Sequence, residues 1–128
     1  MNATLLLGVA LGGAAGSLAR YLSMSAIGAW FAPQFPYATL FVNVLGSLVM
    51  GLLVEASALV WSPSPDLRAF LTVGILGGFT TFSTFSLDTA VLIERNQWPA
   101  AFAYAVLSVV LSVGALFAGM YLIRHLAR

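Results

Sequence analysis

Four apolar runs, each about 20 residues or more, divide the chain and dictate what it can fold into. They span about 2–30, 38–60, 67–93 and 98–123. As a helix rising about 1.5 Å per residue, each is long enough to cross roughly 30 Å of hydrocarbon. The breaks between them are short and polar or proline-rich: Phe31-Ala32-Pro33-Gln34-Phe35-Pro36, Trp61-Ser62-Pro63-Ser64-Pro65-Asp66 and Glu94-Arg95-Asn96-Gln97. Trp30, Trp61 and Trp98 fall at run ends, where the amphipathic indole favours the membrane interface. The expected fold is therefore an all-α integral membrane protein, one domain over residues 1–128 with four transmembrane helices. Composition excludes the alternative of a greasy soluble domain. Of 128 residues, 61% are hydrophobic and 7% charged, too few charges to clothe a core in water.

The charges also remove several classes of function. There is no lysine, the five arginines are scattered and net charge is +1, so no nucleic-acid footprint exists. Cysteine is absent, which excludes disulfides, thiolate metal sites and cysteine nucleophiles. No His, Asp and Glu cluster suggests acid–base or metal chemistry, and His125 sits at the tail, out of reach of a serine partner. Asp88, Glu55 and Glu94 lie towards run ends, where carboxylates are expected to be solvated. The first run lacks a basic leader and is too long for the core of a signal peptide, so it is expected to stay as a helix. Four crossings place both termini on one side, together with Arg68, Arg124 and Arg128; the other side holds Arg95, or Arg95 with Arg20. Such a small bias leaves two readings open, a fixed orientation or insertion both ways.

The third run contains the most unusual segment, Gly74-Ile75-Leu76-Gly77-Gly78-Phe79-Thr80-Thr81-Phe82-Ser83-Thr84-Phe85. Two adjacent glycines followed by hydroxyls make a poor continuous helix, and the segment lies roughly 15 Å in from Arg68, near the bilayer centre. Irregular backbone at that depth must be buried in protein or line a wet cavity. A glycine kink used only for packing is the plainer reading; the hydroxyls of Thr80, Thr81, Ser83 and Thr84 favour a functional break. Phe79, Phe82 and Phe85 recur at three-residue spacing on one flank, as packing or as ring edges, which carry weak positive potential.

In the fourth run, Tyr104, Ser108 and Ser112 form one polar stripe. Its serines either bond back to their own helix or join the tyrosine in a donor-lined track. Asn43, inside the second run, needs a partner and so either glues helices together or meets a substrate. Small residues recur at four-residue spacing, Gly12 and Gly16, Ser47 and Gly51, Gly74 and Gly78, Ala115 and Gly119, which lets helices approach closely.

Three segments together resemble the small fluoride channels, the Fluc or CrcB family. These are Gly12 to Tyr21 in the first run, Thr39 to Ser47 in the second and Gly74 to Phe85 in the third. The match follows the whole chain in order, length and helix count. Ser17 stands where alanine is more usual. The resemblance implies an antiparallel, dual-topology homodimer with two fluoride pores in a bacterial inner membrane. It implies Asn43, Phe82 and Phe85 as pore-lining residues, and Ser83, Thr84, Tyr104, Ser108 and Ser112 as a polar track. It further implies a structural, non-transported sodium ion held by the backbone carbonyls of Gly77 and Thr80. Arg20 matches the family's first-helix arginine, either structural or a source of positive potential.

The chemistry fits. Hydrogen fluoride crosses membranes when neutral and is trapped as the anion in a near-neutral cytoplasm, so a passive anion pore relieves the load. A strongly hydrated small anion needs many neutral donors, because a lysine or arginine in the constriction would hold it too tightly. The rival of similar size is a small multidrug-resistance exporter. It requires a carboxylate in the first helix, where this chain has Arg20 and no acid. A non-transporting assembly subunit would leave the hydroxyl stripes unexplained.

Overall fold

The computed structural model describes residues 1–31 and 33–128; of the first expected turn, Ala32 lies outside the described residues. The elements are α1 (Ala3–Trp30), α2 (Tyr37–Leu59), α3 (Pro65–Ala69), a π-helical segment (Phe70–Leu76), α4 (Gly77–Phe79), α5 (Phe82–Glu94) and α6 (Trp98–Leu126). Four helical spans are long and apolar enough to cross a membrane: α1, α2, the composite Pro65–Glu94 and α6.

Local chemistry sets the ends. Asn2 caps α1 by accepting the Leu5 N–H at 2.7 Å. Ser64 caps α3 in the same way through Leu67 N–H, with Pro65 in the first turn where its missing donor costs nothing. The Glu94–Gln97 link turns at Asn96, which adopts the left-handed φ of 57° that asparagine tolerates. Within the composite span the helix widens over Phe70–Leu76, and Gly77 N–H reaches back to both Gly74 and Thr72 carbonyls.

The helices pack as two parallel pairs. α1 lies along the first half of the third span: Gly12 faces the Phe70 carbonyl and Gly74 Cα, and Gly16 faces the Ile75 carbonyl. α2 lies along α6: Gly51 meets the Leu116 carbonyl, and Gly119 meets the Leu48 carbonyl. At these contacts a Cβ would strike backbone, so the four-residue spacing of small residues is a backbone-approach device. α5 and α6 form an antiparallel hairpin around Leu92, Ala101 and Tyr104, packed by Phe35, Leu40 and Phe85. At the opposite end Arg124 of α6 clasps Glu55 of α2, Nε to Oε1 at 2.7 Å. Glu55, expected to be solvated, is thus largely buried and paired.

Few side chains are buried inside one chain. Leu7, Leu11, Leu18 and Leu22 of α1 and Phe102, Val110, Val113 and Phe117 of α6 all face outward. Such surface needs lipid or protein against it.

Gly16 and Gly13 separate close packing from simple helix propensity. Gly13 has nothing within 4 Å of an added Cβ, whereas Gly16 would press into Ile75. Gly16→Ala is expected to destabilise by about 1–3 kcal/mol. Gly13→Ala should be neutral or slightly stabilising. Melting of the detergent-solubilised protein checks both; equal melting temperatures would mean that the α1 contact is not tight.

Candidate functional site

The site is built around an interruption halfway along the third span. It falls at Thr80–Thr81 and not at Gly77–Gly78, which remain helical. Thr80 (φ −88°, ψ 158°) and Thr81 (φ −152°, ψ 118°) are extended. Side chains explain why. The Thr80 hydroxyl donates to the Leu76 carbonyl at 3.0 Å, closing α4. Thr81 Oγ1 accepts the Thr84 N–H at 3.1 Å, opening α5 as its N-cap. Asn43 of α2 then holds the extended strand from the side. Its Nδ2 donates to the Thr81 carbonyl at 3.0 Å, and its Oδ1 accepts the Thr81 N–H at 2.7 Å.

This arrangement redirects backbone donors. In a continuous helix the Gly77 carbonyl would accept from Thr81 N–H and the Thr80 carbonyl from Thr84 N–H. The first donor goes to Asn43 and the second to Thr81 Oγ1. Both carbonyls thereby lose their helical partners, a loss that must be made good in an apolar medium. The neighbouring Gly78 carbonyl accepts from Arg20 Nε at 2.9 Å, which gives that arginine a structural contact at the break.

Beside the break lies an open cavity of about 410 Å³ between α2, α5 and α6. Asn43, Gly46, Ser47, Met50, Thr80, Thr81, Phe82, Phe85, Ser108 and Ser112 line it. Thus Asn43, Phe82, Phe85, Ser108 and Ser112 come together in one place. The Ser108 and Ser112 hydroxyls are buried and have no hydrogen-bond partner among the described residues. They do not bond back to their own helix, in contrast to Ser57, Thr72, Ser86 and Thr89, which all reach the carbonyl four residues earlier.

Other expected residues sit beside the cavity and not on its wall. Tyr104 is fully buried, and its hydroxyl donates to Asp88 Oδ2 at 3.0 Å, so Asp88 is paired where it was expected to be solvated. The Phe85 ring contacts Tyr104 at 5.1 Å and Phe82 at 5.3 Å, extending an aromatic row from the core to the surface. Phe82 is 77% exposed in the single chain. Thr81 Oγ1 donates to Thr84 Oγ1 at 3.1 Å and lies 3.2 Å from Ser83 Oγ, so these three hydroxyls form their own cluster at the start of α5. Phe79, on the helical side of the break, packs near Gly46 and is not on the cavity wall, because the extended residues destroy its three-residue register with Phe82. Ser47 and Met50 were not expected there; Ser47 entered the sequence reading as a small packing residue and as the end of the second family-like segment, without a pore role.

Electrostatically the cavity wall offers donors without formal charge, an amide and hydroxyls, set among the phenyl rings of Phe82 and Phe85 and the apolar Val109, Val113 and Leu116. No lysine exists to line it, and no arginine does so. Such a wall can replace part of an anion's hydration shell without trapping the ion.

Comparison with known proteins shows the family. The family described as "CrcB-like protein, Camphor Resistance (CrcB)" matches residues 7–120. The chain is 56% identical over 120 residues to the fluoride-specific ion channel FluC of Rhodospirillum centenum, covering 94% of this chain and 95% of that one. It is 55% identical over 124 residues to FluC of Nitrobacter winogradskyi, covering 97% and 98%. FluC 1 of Nitrobacter hamburgensis is 52% identical over 126 residues, covering 98% and 100%. A match of this extent makes the chain a member of the CrcB family.

Proposed function

We propose that this protein is a fluoride-selective channel that passively exports fluoride across a bacterial inner membrane. The observation that carries this reading is the pair of buried, unpartnered hydroxyls on Ser108 and Ser112, facing a cavity shared with Asn43, Phe82 and Phe85. A buried hydroxyl without a partner is costly. An anion passing the cavity would take up those donors. The relatives' names supply the ion's identity.

Asn43 uses one Nδ2 hydrogen on Thr81 and keeps a second to offer an anion. The Phe82 and Phe85 rings present edges of weak positive potential. Thr84, Ser83 and Tyr104 act behind the wall, by fixing the break and the aromatic row. The multidrug-exporter reading finds no support in α1, which holds no acidic residue.

The working unit in this reading is an antiparallel homodimer. A second copy would cover the outward apolar faces and the exposed Phe82, and would close the open side of the cavity. A two-fold axis in the membrane plane would bring both interruptions together. The Gly77 and Thr80 carbonyls, deprived of helical donors, fit a hard monovalent cation. Among the described residues no three His, Cys, Asp or Glu side chains gather to favour a divalent ion. Sodium held there would neutralise facing carbonyl dipoles and stabilise the dimer.

Purified protein in liposomes should release fluoride without ATP or a proton gradient, chloride far more slowly, and a drug cation not at all. Equal fluoride and chloride rates would end the selectivity reading. Phe82→Ile or Phe85→Ile should slow fluoride strongly while the dimer still assembles, since bulk is kept and the ring edge is lost.

The Ser108→Ala/Ser112→Ala double variant should separate function from stability. Its fluoride flux should fall, whereas its melting temperature should hold or rise, because hydroxyls without partners have no bond to lose. Full flux would make the two serines bystanders.

A single cysteine placed at the C-terminus, unique because the chain has none, should be labelled by an impermeant reagent on both membrane faces in comparable amounts. Labelling on one face alone would exclude the antiparallel homodimer.

A further inference from the structure

We infer that Ser47 is an anion-coordinating residue, forming with Ser112 a second polar rung of the pathway beyond the one made by Asn43 and Ser108. The inference rests on the channel reading above and adds a residue to it.

The register of α2 against α6 places the rung. The two helices run parallel, and Gly51 of α2 meets the Leu116 carbonyl of α6. One turn back on each helix stand Ser47 and Ser112; a further turn back stand Asn43 and Ser108. All four line the same cavity. The steps of four residues keep them on the facing sides of both helices, so the polar wall belongs to two helices and not to α6 alone.

The state of the hydroxyl supports the same conclusion. Ser47 is half-buried in mid-helix, yet its hydroxyl has no hydrogen bond among the described residues. Ser57, on the same helix, bonds to the Leu53 carbonyl at 2.7 Å and shows what a purely structural helix serine does here. Ser112, at the matching level of α6, has a buried hydroxyl without a partner among the described residues. Two hydroxyls at one level of a shared cavity, with no hydrogen bond among the described residues, can both donate to one dehydrated anion. Beyond them the backbones come together at Gly51 and Leu116, and Met50 and Leu116 make the wall apolar. The rung is thus the last pair of side-chain donors along this wall before the two helices close on each other.

The test uses the full chain in liposomes, with fluoride efflux as the readout. Ser47→Ala should lower flux by about tenfold or more, the order expected when an anion loses a hydrogen bond. Its melting temperature should match that of the parent, because no intramolecular bond is removed. Ser47→Thr, which keeps the hydroxyl, should recover most of the flux, and Ser57→Ala should retain it. Ser47→Ala flux within about twofold of the parent, or equal loss in Ser47→Thr and Ser47→Ala, overturns the inference and leaves the channel reading standing. Absence of fluoride flux in the parent protein overturns both.

Discussion

Everything distinctive in this fold depends on one side-chain amide pairing with one stretch of extended backbone. Asn43 offers a donor and an acceptor to the Thr81 carbonyl and N–H, as a neighbouring strand would. In hydrocarbon no water can satisfy backbone groups released by a broken helix, so a break survives only where protein replaces the missing bonds. Asn43 does this from α2, Thr81 does it for α5 through its own hydroxyl, and Arg20 does it for Gly78 from α1. Two neighbouring helices, α1 and α2, therefore converge on one interruption.

That convergence explains the rest of the packing. For Asn43 to reach Thr81, α2 must come close to the break, and Gly46 gives the Thr80 methyl the room it needs. For Arg20 to reach Gly78, α1 must lie tightly on the first half of the third span, which Gly12 and Gly16 permit. The same closeness of α2 and α6 at Gly51 and Gly119 leaves the cavity bounded on one side, with hydroxyls that no group among the described residues satisfies. A channel reading gives those hydroxyls a purpose; a packing reading leaves them as an uncompensated cost.

The sequence made the architecture legible because length against the bilayer is a strong constraint and proline-rich turns mark its ends. The motif from Gly74 to Phe85 revealed that the third span is interrupted, but not where. Glycine weakens a helix, yet α4 stays helical through Gly77 and Gly78, with Gly78 packed on Gly13 and Ser17 of α1, and the interruption moves to Thr80–Thr81, where side chains can replace the bonds. The Glu55–Arg124 and Asp88–Tyr104 pairs were missed because both join distant parts of the chain, and end-of-span position alone suggested solvation. Ser47 was read as a spacer, since small-residue spacing and a polar stripe look alike in one helix. The register of α2 against α6 tells them apart.

The central claim is that a single amide both holds the break and serves the pathway, so that local order and conduction are lost together. The direct measurement takes one Asn43→Ala preparation and reads two quantities: hydrogen exchange at the Thr81 amide and fluoride efflux from liposomes. Exchange should accelerate, because the Thr81 N–H loses its acceptor, and efflux should collapse. A Thr81 amide as protected as in the parent protein, or efflux that continues unabated after the clamp is gone, would contradict the account.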